Sequence, residues 1–136
     1  MAEEKNSKLE SQEEQPKEER RFSQKQYDML KRCADKKDMT EWNKWREDYS
    51  EYNVQDVLLE GGDFSNWHLK GVNLGTSPQY RCRTSEVFLS KANFDNAHLE
   101  GSSFTFSHVE GARFHEAHLE GANLIFAHLN TTKFFC

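Results

Sequence analysis

The chain has 136 residues, 35% of them hydrophobic and 30% charged, with a formal net charge of −5; that size predicts one domain plus a tail. Acids and bases are spread along the sequence, which excludes a basic nucleic-acid surface and an extended polyanion, so no direct nucleic-acid binding is expected. No apolar run approaches the roughly 20 residues of a membrane-spanning helix, and the polar start MAEEKNSKLE is unlike a secretory signal, so a soluble cytoplasmic protein without a membrane partner is expected.

Residues 1–22 are expected to be a disordered charged tail. The first 21 hold one leucine, no aromatic residue and twelve charged side chains, too little apolar surface to offset the entropy of ordering. Residues 23–56 predict a helical hairpin. Ser23-Gln24-Lys25-Gln26 has the form of a capping box, and Tyr27, Leu30 and Ala34 then share a helical face with Cys33 beside them. The charge run Asp35-Lys36-Lys37-Asp38 separates a second helix, capped by Asp38 or Thr40, whose stripe is Trp42, Trp45 and Tyr49. About 30 residues cannot hold a core alone, so the aromatic face must pack on the chain from Val57 onward.

From Val57 to Cys136 the sequence has a period of five. Leu89, Phe94, Leu99, Phe104, Val109, Phe114, Leu119, Leu124, Leu129 and Phe134 fall on every fifth residue, and a mostly small residue sits two before each. Neither the helical period of 3.6 nor the strand period of 2 produces this. A short period repeated so often predicts a solenoid, in which each unit buries its apolar residue by stacking on its neighbours. Leu59, Phe64, Leu69 and Leu74 start the same register. Trp67 takes a slot that is usually small, which fits only at the end of the stack, beneath a cap. Trp42, Trp45 and Trp67 are therefore assigned to capping.

The units GGDFS, GVNLG, KANFD, GARFH and GANLI resemble those of the pentapeptide-repeat family, whose consensus is A-[DN]-L-x-x. The segment TEWNKWRED is similar to a helical leader seen in some of its members. The resemblance implies a mainly β fold: a right-handed quadrilateral parallel β-helix, one pentapeptide per side and four per coil, here with an N-terminal α-helical cap. Within that frame, residues Gly75 to Glu86 give a poor core, and Pro78 would remove a donor from the ladder. If residues 77–86 project as a loop, Phe64, Phe94, Phe114 and Phe134 stack in one column. His68, His98 and His118 then form a second column, and Leu59, Leu89, Val109 and Leu129 a third. Without a loop Phe64 would stack on Thr84, so the loop is preferred, since like side chains stack well in register.

A ten-residue period overlies the five: Ala-His-Leu-Glu-Gly at 97–101 and 117–121, and Ser-His-Val-Glu-Gly at 107–111. Residues flanking an inward centre point outward together. His98, Glu100, His118 and Glu120 therefore share one face, with coils about 4.8 Å apart, and His108, Glu110 and His128 the opposite one. Such groups could hold zinc or nickel. The favoured reading is a solvated ladder in which His and Glu partly neutralise each other, with no metal and no cofactor. Stacked imidazoles should titrate at depressed pH, because protonating one opposes protonating its neighbour.

No catalytic motif emerges, so an enzyme is not expected. Cys33, Cys82 and Cys136, an odd number without metal-type spacing, are read as reduced thiols. The expected function is a protein-binding scaffold whose partner the sequence does not name, with Tyr80, Arg81 and Arg83 in the loop as the candidate contact patch. The uncapped C-terminal coil could also pair end to end with a second copy. Some members of the resembled family mimic B-form DNA and bind DNA gyrase, which makes a gyrase or topoisomerase modulator the alternative. Eight acids against six bases over 57–136 disfavour it, since a mimic needs dense negative charge. Divalent-metal binding by the His/Glu ladder is the second alternative.

Overall fold

The computed structural model describes residues 20–48, 55–76 and 85–135. Two helices come first, α1 (Gln24–Lys36) and α2 (Thr40–Arg46). The Ser23 hydroxyl accepts a hydrogen bond from the Gln26 amide and starts α1. The Gln26 side chain reaches across to residues 56–58 instead of closing a capping box. Its Nε2 donates to the Asp56 carbonyl at 2.9 Å and its Oε1 accepts from the Leu58 amide at 2.7 Å. Helix α1 stops where Lys37 turns left-handed, with the Lys37 and Asp38 amides returning to the Ala34 and Cys33 carbonyls. Asp38 then accepts from both the amide and the hydroxyl of Thr40, which sets the entry to α2.

Arg20–Phe22, which composition groups with the tail, belong to the folded unit. Phe22 bridges Leu59 antiparallel, and the Ser23 amide donates to the Leu58 carbonyl at 2.7 Å. The reason is specific contact rather than average hydrophobicity. Arg21 pairs with Glu60 and lies over the Phe88 ring, while Arg20 lies over Phe22.

Strand β1 (Val57–Leu58) pairs in parallel with β2 (Val87–Phe88), Val57 opposite Val87. Beyond them the chain meets itself through single parallel bridges: Phe88–His108–His128, Asn93–Arg113–Lys133, His98–His118 and Ser103–Asn123, each step 20 residues. Four five-residue units thus bring the chain back alongside itself. The first return is longer. Asp63 bridges Asn93, His68 bridges His98 and Asn73 bridges Ser103, each 30 residues on. The ten extra residues fall between Thr76 and Val87, where a loop at 77–86 is expected; residues 77–84 of it lie outside the described residues, as does Tyr49 of the aromatic stripe.

Two side chains in five point inward, one large and one small. Leu59, Phe64, Leu69, Leu74, Leu89, Phe94, Leu99, Phe104 and Val109 are fully buried, and Ala92, Ala97, Ser107 and Ala112 fill the small slots between them. Phe64, Phe94, Phe114 and Phe134 form a continuous stack with centroid spacings of 5.0, 5.0 and 5.1 Å. That column requires the ten-residue offset.

The period-five turns have two visible causes. Where Asp or Asn precedes the inward residue, its Oδ1 accepts the amide two positions on: Asp63 from Ser65, Asn73 from Gly75, Asn93 from Asp95 and Asn123 from Ile125, at 2.9–3.1 Å. Two residues past the centre the backbone turns left-handed, at Gly101 (φ 69°) and Gly121 (φ 74°) and also at Asn96, Phe106, Glu116 and Phe126. Glycine relieves roughly 1–2 kcal/mol of strain at such a position, and its placement at alternate turns accounts for part of the ten-residue period.

The helices stand in for a missing coil at the start of the stack. Trp42 is fully buried and its Nε1 donates to the Asn73 carbonyl at 2.9 Å. Asn43 donates to the Gly71 carbonyl at 3.1 Å and accepts from the Asn73 amide at 2.9 Å, and Arg46 donates to the Gly75 carbonyl at 2.9 Å. Side chains of α2 thereby satisfy an edge that would otherwise be open. Gly75 allows close approach on the other side, since a Cβ there would lie 2.5 Å from the Thr105 amide nitrogen. Tyr27 of α1 donates to the Asp63 carbonyl at 2.9 Å, and its ring lies 5.1 Å from Trp67, which in turn meets Phe64 edge-on. At the far end Ile125, Phe126, Phe134 and Phe135 are exposed.

Candidate functional site

Histidine takes the outward slot before the inward residue in two columns. In the first, His68, His98 and His118 stack with centroids 4.7 and 4.6 Å apart and ring planes within 4° and 1° of parallel. In the second, Phe88, His108 and His128 stack at 5.0 and 4.4 Å. Parallel bridging at these positions fixes both columns, because it places each ring directly over its counterpart in the next coil.

Glutamates two residues on complete the two clusters. His98, Glu100 and His118 offer ligand-type atoms all within 4.8 Å of one another, and so do His108, Glu110 and His128. Glu120, the fourth candidate of the first column, is exposed and stands outside that cluster. Tyr80, Arg81 and Arg83, the candidate contact patch, lie outside the described residues, as do Cys82 and Cys136.

The clusters differ in how their carboxylates are held. Glu110 accepts from the Ser90 hydroxyl at 2.9 Å and lies 3.6 Å from His108 Nδ1, while His108 Nε2 meets Glu86 at 2.8 Å. Glu100 lies 3.6 Å from His98 Nδ1 through Oε2 only. Its Oε1 is shielded from solvent and has no hydrogen-bond partner. The Glu100 carboxyl is held below the usual range by its own amide first, then by His98 and His118. Burial pushes the Glu110 carboxyl up, but its own amide, Ser90 and His108 together hold it below the usual range. The His68 imidazole is shifted down, chiefly by desolvation, then by Lys37 and by the stacked His98. Neighbour repulsion thus acts at His68, but desolvation leads. In the helical cap Cys33 is buried, and desolvation raises its thiol.

Sequence reasoning missed three partners. Glu86 and Ser90 complete the second cluster, and Asp95 binds Arg113 at 2.5 Å and the His115 amide at 2.9 Å. The signal for Ser90 and Asp95 is present, since each lies 20 residues before its partner or that partner's neighbour.

These features define a repeat protein: parallel returns at fixed intervals, two inward residues in five and polar side chains in outward rows. One family profile, described as Pentapeptide repeats, matches residues 97–134 in eight copies. Residues 97–134 thus carry pentapeptide repeats, and such repeats imply a β-helix-type fold. No curated protein and no solved structure matches it. Among the described residues no helix is long and apolar enough to cross a membrane.

Proposed function

We propose that the chain is a non-enzymatic, cytoplasmic protein-binding scaffold, built as a right-handed square β-helix with the helical cap at its start. The observation that carries this reading is the 20-residue parallel bridging. It commits the inward residues to the core and leaves the rest in straight external rows, a surface suited to docking. The turn hydrogen bonds of Asp63, Asn73, Asn93 and Asn123 give that slot a structural use and argue against DNA mimicry, since three of the four are neutral. The test is capture of partners from host lysate by the immobilised full chain, with residues 77–86 intact or deleted, at ~50 and ~500 mM salt, on either side of strong screening. A protein retained at high salt and lost with residues 77–86 is the expected result. A topoisomerase held only at low salt would replace the scaffold with a mimic, and no retained protein would count against both.

The scaffold's second contact surface is the exposed apolar end, offered to a second copy of the chain. Phe134 is 44% and Phe135 58% exposed, and Ile125 and Phe126 of the same last coil are exposed as well, more apolar surface than a solvated end favours. Sedimentation should show a dimer that Phe135→Glu converts to monomer. A wild-type chain that stays monomeric at high concentration removes self-association from the reading.

A further inference from the structure

We propose that His98, Glu100 and His118 bind one divalent transition-metal ion of the zinc or nickel class on the outer face of two adjacent coils. The donor set suits it: two imidazoles and one carboxylate are the ligand types zinc and nickel take, with the remaining position left to water. The side chains come from two successive coils whose bridge at His98 and His118 fixes their spacing. Their ligand-type atoms lie within 4.8 Å of one another, whereas tetrahedral zinc with bonds of about 2.0–2.1 Å wants its ligands roughly 3.3 Å apart. The site must therefore close by at most about 1.5 Å. His98 is half-buried and His118 exposed, so both rings can tilt without disturbing the core.

The second observation is Glu100 Oε1, which is buried without a hydrogen-bond partner. An unpaired carboxylate oxygen screened from water is costly, and a cation bound there removes the cost. The opposite face supplies an internal control with the same residue types. There Glu110 accepts from Ser90, and His108 is engaged by Glu86, so a metal would have to break existing bonds. The charged groups flanking Glu100 in its own column are Lys70, at the equivalent position one coil earlier, and Glu120, one coil later. The positive charge of Lys70 in that column opposes a bound cation. This inference does not rest on the scaffold reading, since it concerns a different ligand, and its test reads the metal alone.

The test is titration of the chelator-treated full chain with Zn²⁺ by calorimetry, with the imidazole Hε1 resonances followed by NMR. One equivalent should bind, shifting the His98 and His118 resonances and leaving those of His108 and His128 in place. His98→Ala or His118→Ala should weaken binding at least about 10–100-fold, the loss that even a supporting residue causes at a metal site. Glu100→Gln, which keeps the shape of the column, should weaken it too, while Lys70→Ala should tighten it. His108→Ala should leave affinity unchanged. Zinc bound equally by the His98→Ala/His118→Ala double variant, shifts centred on His108, or no heat and no shift with the wild-type chain would each overturn the proposal.

Discussion

Phe94→Ala should destabilise the protein by about 3–5 kcal/mol, the cost of truncating a buried aromatic in a core that relaxes only partly. Phe94 has no solvent exposure, stacks on Phe64 and Phe114 at 5.0 Å each and meets Phe104 edge-on at 5.6 Å. Collapse cannot fill the hole, because the backbone around it is pinned by ladder bonds: the Phe94 amide donates to the Arg113 carbonyl and the Asn93 amide to the Gly62 carbonyl. Stability is summed over neighbouring coils in a stack of this kind, so a cavity in the middle weakens two interfaces together. Phe134→Ala is the comparison. Its ring closes the same column but is 44% exposed, so its loss should cost well under half as much. Urea denaturation of both variants checks the pair, and equal midpoints would mean that the column does not carry the core.

The period of five was readable because each inward residue is set by its own turn and by its distance from the next. No long-range information is needed to see that Phe94, Phe104 and Phe114 point inward. The columns required one further step, the ten-residue offset before Val87, and the Phe64–Phe94 stack depends on it. Contacts that cross between unlike elements were not readable. Gln26 holds the Asp56 carbonyl and the Leu58 amide across about 30 positions, and nothing in a capping-box pattern points there. Arg20–Phe22 look like tail because a composition average cannot register one antiparallel bridge and two arginines over rings. In the candidate site, adding 20 to a residue number finds the stacked histidines. It does not show that Ser90 satisfies Glu110 while one oxygen of Glu100 goes unpaired; that difference lies in side-chain reach, not in the repeat.

The cap gives the second large effect. Trp42→Ala should cost about 3–5 kcal/mol as a buried-aromatic truncation, and it should act locally before it acts globally. Trp42 is fully buried, meets Trp45 edge-on at 5.0 Å and donates to the Asn73 carbonyl at 2.9 Å. With the indole gone, α2 loses its anchor, and the neighbouring bonds from Asn43 to Gly71 and Arg46 to Gly75 lose the surface that aligns them. The first coil would then open to water along its edge and fray inward one coil at a time, as stacked repeats do from an end. Trp42→Phe separates the two contributions. It keeps a ring in the pocket but removes the donor and part of the indole's volume, so it should cost at least about 1–3 kcal/mol, the penalty for a buried acceptor left unmet, and still less than Trp42→Ala. Amide exchange reads the order of events. Leu69 and Leu74, whose amides donate to His98 and Ser103, should exchange faster in Trp42→Ala, while Leu99 and Phe104 one coil further on keep their protection at first. Uniform loss across both coils would mean that the stack opens as a single unit, and that α2 stabilises the whole rather than capping one end.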